Sequence, residues 1–261
     1  MRSTLSPHWL VAALTERRSP GRSERRRLQT LAPRPRWSRT RVLSRLRAMG
    51  DARHAVGAAR FAIRGKGIFG ISVPRLRGLA HEVGKDHVLA QTLWKTGLHD
   101  ARILAAMIDD PAQVTEAQME AWVRDFDSWD VCDGCCSNFF DRTPFAWTKA
   151  VAWSRRREEF VRRAGYVLMA VLAVHDQEAP DRRFRRFFPL IARGASDERN
   201  FVKKAANWAL RQIGKRNRAL NRDAVRTAQA IRRQDTPSAR WIAADALREL
   251  TSPAVQKRLS R

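Results

Sequence analysis

Phe160-Val161-Arg162-Arg163-Ala164-Gly165 and Phe201-Val202-Lys203-Lys204-Ala205-Ala206 are the two stretches on which the fold turns. They align with a shift of 41 residues, and Ala209-Leu210-Arg211 aligns with Ala246-Leu247-Arg248 with a shift of 37. Spacing of this size is what stacked helix pairs of the HEAT type show, each pair burying its apolar face against the next; chance matches in a chain rich in Ala and Arg are the alternative. Outward from these stretches, from about residue 41, apolar positions recur every three or four residues rather than alternating. Start and stop residues agree with that period. Thr115-Glu116-Ala117-Gln118 has capping-box spacing. Ser196 ahead of Asp197-Glu198 reads as an N-cap with acids in the first turn. Thr236-Pro237 puts proline at the first helical position, and Gly84 and Gly214 read as C-caps. The pattern predicts helices over 41–49, 51–63, 74–83, 86–96, 99–109, 115–125, 128–140, 144–154, 157–174, 181–193, 197–213, 217–232 and 237–249, with no strand. The expected fold is an all-α HEAT/ARM-like solenoid with a basic concave face.

The 261 residues can bury a sizeable core in one or two domains. At 44% hydrophobic the chain is too apolar to be wholly disordered, and no apolar run of about 18 residues offers a membrane-spanning helix. Three cysteines exclude a disulfide scaffold and suit a reducing compartment. Fifty-one Lys and Arg against 26 Asp and Glu give a net charge of +25. Such an excess points to a polyanion, with nucleic acid ahead of an anionic membrane surface or a ribosome. An arginine-preferring genome would feed the same excess, since 43 of the 51 are Arg. Residues 1–48 hold 13 Arg against Glu16 and Glu24. In residues 1–40, like charge is mixed with breakers, as in Ala32-Pro33-Arg34-Pro35-Arg36. A disordered Arg-rich tail is the expectation there; a start assigned too early and a transit-peptide-like segment are the alternatives. Residues 41–261 are then the folded domain, expected to be a monomer.

The chemistry is densest in Asp125-Phe126-Asp127-Ser128-Trp129-Asp130-Val131-Cys132-Asp133-Gly134-Cys135-Cys136. Four acids in nine residues are conspicuous in so basic a chain. In a helix starting near Ser128, Trp129 and Asp133 share a face, with Asp127 or Ser128 as cap and Asp130 in the first turn. Asp133 then reads either as a catalytic carboxylate or as the partner of a nearby Arg. Cys132, Cys135 and Cys136 lack the second ligand pair a structural zinc needs, so they read as buried thiols, with no metal. Arg162, Arg163, Lys203 and Lys204 sit at matching repeat positions, and Arg211 and Lys215 follow. They are either a solvated basic face or a row of phosphate contacts. Trp208, flanked by cations, is either core or a surface for a sugar or base, whereas Trp94, Trp122, Trp147 and Trp153 read as core. Gly65-Lys66-Gly67-Ile68-Phe69-Gly70 lacks the strand a dinucleotide site requires and reads as a loop between helices. No phosphate-cradling loop is present.

Phe69-Gly70-Ile71-Ser72-Val73-Pro74-Arg75-Leu76-Arg77, Leu93-Trp94-Lys95-Thr96-Gly97 and Ala101-Arg102-Ile103-Leu104-Ala105 resemble the AlkD-like DNA alkylation repair family. So do Trp129-Asp130-Val131-Cys132-Asp133 and Phe201-Val202-Lys203-Lys204-Ala205-Ala206-Asn207-Trp208-Ala209-Leu210-Arg211. The resemblance covers residues 41–259. It implies a HEAT-like solenoid that binds duplex DNA and a monofunctional N-glycosylase releasing N3- and N7-alkylated purines, without metal or redox cofactor. It implies that Asp133, Trp129 and Trp208 are the catalytic residues and that Arg163 clamps a phosphate. Cys132, Gly165 and Asn207 depart from the founding branch, and a DNA-binding protein without base excision is the alternative. A positively charged purine is already a good leaving group, so what needs stabilising is the oxocarbenium-like sugar, which a carboxylate can do while orienting water. A bacterial cytoplasmic protein associated with the nucleoid is the expected setting.

Overall fold

The computed structural model describes residues 37–63 and 65–260. Most of the expected N-terminal tail, residues 1–36, lies outside the described residues. Residues 37–40, assigned to that tail, are instead folded. The Trp37 indole donates to the Glu82 carbonyl at 3.2 Å. The Ser38 hydroxyl accepts from the Arg41 amide and so caps the first described helix, α1, Arg39–Met49.

The remaining helices are α2 (Ala52–Ala58, extended by a 3-10 turn over Ala59–Phe61), α3 (Val73–Val83), α4 (His87–Trp94), α5 (His99–Ile108), α6 (Glu116–Arg124), α7 (Trp129–Asn138), α8 (Ala146–Trp153), α9 (Glu159–His175), α10 (Asp181–Arg185), α11 (Phe188–Gly194), α12 (Asn200–Gly214), α13 (Arg218–Arg232), α14 (Pro237–Leu250) and α15 (Pro253–Leu259). The described residues contain no named strand, only one isolated bridge between Lys66 and Leu98. Helices stack in two rows. One row is α5, α7, α9, α12 and α14, each packed on the next. The other includes α4, α8, α11 and α13, each packed against its partner in the first row. In α9, residues 163–173 are all buried, as a helix packed on several sides requires. The Phe160 and Phe201 rings, equivalent in the sequence repeat, lie 5.5 Å apart on adjacent helices.

Local chemistry sets most helix starts. Asp51, Asp86, Thr115, Asn217, Thr236 and Ser252 each accept an amide from the first turn of their helix. Several expected boundaries need correction. The segment 181–193 divides at Arg186-Phe187, and Pro189 opens the second piece. Ser196 does not cap α12, whose N-cap position is Arg199 and carries no side-chain bond. Asp197 instead binds the Arg199 and Arg162 guanidinia. Gly84 ends α3 with φ 77°, as expected of a C-cap. Gly214 is the last residue of α12 rather than its cap, and a Cβ there would meet Leu250 and Ala224 at 2.7 and 2.8 Å. The C-terminal helix α15 was not expected, although Ser252-Pro253 carries its start signal.

Trp94, Trp122 and Trp153 are core residues, with the first two stacked at 3.9 Å and nearly parallel. The glycine-bearing loop over 65–70 is pinned to the start of α5. The Phe69 amide donates to Asp100 Oδ2 at 2.8 Å, and the His99 amide to the Lys66 carbonyl at 2.8 Å. Gly70, at φ 76°, lets that loop pass against α2, where a Cβ would meet the Asp51 carbonyl oxygen at 2.3 Å.

Candidate functional site

The site is built on the first two turns of α7. Ser128 occupies the N-cap position, but its hydroxyl donates to Asp130 Oδ1 at 2.7 Å rather than accepting a helix amide. Asp130 Oδ2 pairs with His99 Nε2 at 2.9 Å, and His99 Nδ1 pairs with Asp100 Oδ1 at 3.0 Å. Burial opposes charge on His99, yet its hydrogen bonds and charge attraction to Asp100 and Asp130 raise its pKa to about 9. His99 is therefore an imidazolium at neutral pH, held between two carboxylates. Asp130 is held below the usual carboxylate range: burial acts against this, but the bond and charge of His99 outweigh it.

This network fixes the start of the helix that carries Trp129 and Asp133 one turn apart. The Trp129 indole donates to the Phe61 carbonyl at 2.8 Å. Asp133 accepts two bonds from one guanidinium, Arg163 Nε at 2.9 Å and Nη2 at 2.7 Å. Arg163 Nη1 donates to the Phe201 carbonyl at 2.6 Å, so one side chain links α7, α9 and α12. Arg163 is 6% exposed, whereas the Asp133 side chain keeps 21% exposure. Burial pushes the Asp133 carboxyl above its ordinary value, and the Arg163 charge pulls against that shift.

An open cleft of about 450 Å³ brings Trp129, Asp133, Arg163 and Lys204 together. Arg60, Phe61, Ala62, Asn200 and Phe201 complete its lining. Sequence reasoning missed the wall made by Arg60, Phe61 and Ala62, because the helical period ran on through 51–63. The chain turns instead at Ala62, which takes a left-handed φ of 56° and leaves Phe61 68% exposed beside the cleft. A non-glycine residue at positive φ leaves no mark in an apolar period.

The other expected contacts are distributed differently. Arg163 spends one N–H of each guanidinium nitrogen on Asp133 or the Phe201 carbonyl, which leaves one N–H on each of Nη1 and Nη2 at the cleft wall. Arg162 pairs with Asp197 at 3.1 Å. Arg211 pairs with Glu249 and Asp245, and Lys215 with Glu249 at 2.6 Å, so these two are neutralised by the next helix. Lys203 lies 5.8 Å from the Trp241 ring. Trp208 is half-buried against the core, one turn beyond Lys204 on α12, and does not line the cleft. The cations in the cleft with no carboxylate partner among the described residues are Arg60 and Lys204. Cys132, Cys135 and Cys136 are buried free thiols. Burial pushes the Cys135 and Cys136 thiols well above their ordinary value, so neither suits a nucleophile.

Stacked helix pairs around a cleft of this kind define an all-α HEAT-like repeat protein. The chain belongs to the DNA alkylation repair enzyme family, whose family model matches residues 42–250. A solved structure described as "a new family of proteins related to the HEAT-like repeat DNA glycosylases with affinity for branched DNA structures" superposes with a TM-score of 0.70. It is 18% identical and covers 85% of this chain and 96% of its own. No curated protein matches the sequence. No described helix is long and apolar enough to cross a membrane.

Proposed function

We propose that the protein is a DNA N-glycosylase that releases positively charged N3- and N7-alkylated purines from duplex DNA. The observation that carries this reading is the Asp133 carboxylate, partly exposed in a cleft between an indole and two unpaired cations. A lesion that is already cationic leaves without much acid help. The barrier then depends on positive charge spreading over the sugar, and a fixed carboxylate lowers it electrostatically. Asp133 uses one acceptor site on each oxygen for Arg163, and a carboxylate has about four, so it keeps capacity to hold an attacking water. Arg163 is then a positioning residue that fixes the carboxylate in place. Arg60 and Lys204 supply the phosphate contacts, and Trp129 offers a ring face to the sugar or the cationic base. Trp208 acts, in this reading, beyond the cleft along the DNA path. The protein needs no metal or redox cofactor for this step, and it works in the cytoplasm as a monomer on nucleoid DNA.

A second reading is a structure-specific DNA-binding protein without base release. Its support is the bidentate Arg163 pairing, which offsets the Asp133 charge, together with the branched-DNA affinity ascribed to the solved structure. The test is release of free 7-methylguanine and 3-methyladenine from methylated duplex DNA incubated with the full chain. Release above the spontaneous rate supports the glycosylase. Tight binding with no release supports the second reading.

A further inference from the structure

Four arginines fall within five residues at the start of α10: Arg182, Arg183, Arg185 and Arg186. The structure separates them. Arg185 is met by two acids, Asp223 at 2.9 Å and Asp181 at 3.7 Å. Arg183 and Arg186 turn the other way, into an open groove of about 450 Å³ between α8 and α10, where Arg155 joins them. No acidic residue lines this groove, and none of the three guanidinia has a carboxylate partner among the described residues. Thr148 adds a hydroxyl on the same wall.

The groove is held in shape from beneath. The Arg183 guanidinium sits 3.9 Å from the Trp147 ring centroid. That indole stacks on Phe187 at 5.2 Å and donates its N–H to Asp176 at 3.1 Å. Such a stack fixes the Arg183 plane at little further entropic cost and leaves its N–H edges for a ligand. Three guanidinia that line one groove without a carboxylate partner make a positive field that favours an anion there. Because the indole is already engaged by Arg183 and Phe187, the groove presents mainly N–H donors rather than an apolar socket.

We propose that this groove is a second DNA-binding site, which takes the phosphodiester backbone of a segment other than the one in the Asp133 cleft. The cleft is formed at the starts of α7, α9 and α12, in one row of helices. The groove lies on α8 and α10, outside that row. The cleft and the groove share no lining residue, so each can take its own segment of DNA. The inference rests on the reading of the protein as one that binds DNA, and not on base release.

The test is a calorimetric titration of the full chain with an unmodified duplex of about 12 bp, long enough for local phosphate contacts and too short to wrap the protein. Wild type is expected to bind two duplexes, one at each site. Arg155→Glu/Arg183→Glu/Arg186→Glu is expected to bind one, with the tighter phase unchanged and an unaltered rate of base release. Arg155→Ala/Arg186→Ala, which keeps the Arg183–Trp147 stack, is expected to weaken only the second phase, by about tenfold for two lost phosphate contacts. Two intact phases in either variant, or a single phase in wild type, would overturn the proposal. If wild type binds two duplexes but releases no base, the glycosylase reading fails while the second site stands.

Discussion

Arg163 of α9 reaches back to Asp133 on α7 and forward to the Phe201 carbonyl on α12. Further along the same row, Arg211 of α12 and Lys215 just past its end reach forward to Glu249 on α14, where Asn207 also finds Asp245. Both sets tie consecutive helices together with the same residue types. They differ in what is left over. At the cleft, Asp133 stays partly open and Arg60 and Lys204 stand free beside it. At the C-terminal end, Asp245 and Glu249 neutralise the cations they face. In a chain with twice as many bases as acids, whether a cation is available to DNA depends on the helix packed beside it. Lys204 has no acid opposite, whereas Lys215 has Glu249.

The sharpest way to break this comparison is to remove the arginine from each set. Arg163→Ala leaves a largely buried carboxylate unpaired and removes the tie to the Phe201 carbonyl. It should cost about 3 kcal/mol of stability in a denaturant titration. Arg163→Lys should not restore this, since a point charge cannot serve both carboxylate oxygens and the carbonyl together. Arg211→Ala, at a more exposed pair, should cost about 1 kcal/mol or less. Equal losses at the two positions would contradict the distinction.

The His99 network sharpens it next. The folded-state pKa of His99, about 9, lies above its ordinary 6.5. Its stabilising contribution is therefore fully present below about pH 6.5 and is lost as pH rises through about 9. By linkage that amounts to about 3 kcal/mol. Urea midpoints of wild type should fall across this window, and His99→Gln should flatten the fall. A His99→Gln profile as steep as that of wild type would remove the imidazolium from the support of α7.

The smallest effects concern DNA affinity. Arg60→Ala/Lys204→Ala should weaken duplex binding about tenfold and lower the slope of log affinity against log salt by about two units. Arg211→Ala/Lys215→Ala should leave affinity within about twofold, because those cations are already neutralised. A matching drop in both variants would mean that ion pairing does not govern which cations meet the backbone.

The fold was legible because a stack of helix pairs writes itself into short-range periodicity. Caps such as Thr115 and Thr236 and the 41-residue shift are local or repeated features. The division of α10 from α11 escaped that reading because Phe184, Phe187 and Phe188 keep an apolar spacing across the break. At the site, the shared face of Trp129 and Asp133 follows from helical spacing, and Asp133 as the partner of an arginine was one of its two readings. That Arg163 is the arginine depends on α9 lying beside α7, thirty residues on. The pairing of Arg211 and Lys215 with Glu249 was hidden in the same way. The 37-residue repeat sets Arg211 against Arg248, and the neighbouring acid decides the outcome. The wall of Arg60, Phe61 and Ala62 was illegible, since it depends on one left-handed residue inside an otherwise helical period.

The most direct test of the central claim is single-turnover release of 7-methylguanine by wild type and Asp133→Asn, with duplex affinity measured on the same preparations. Asparagine keeps the shape and one acceptor for Arg163 but carries no charge. Asp133→Asn should lower the rate about a hundredfold or more with affinity nearly unchanged, because the carboxylate acts on charge that develops only in the transition state. Equal rates for the two proteins would contradict it and leave Asp133 as a structural partner of Arg163.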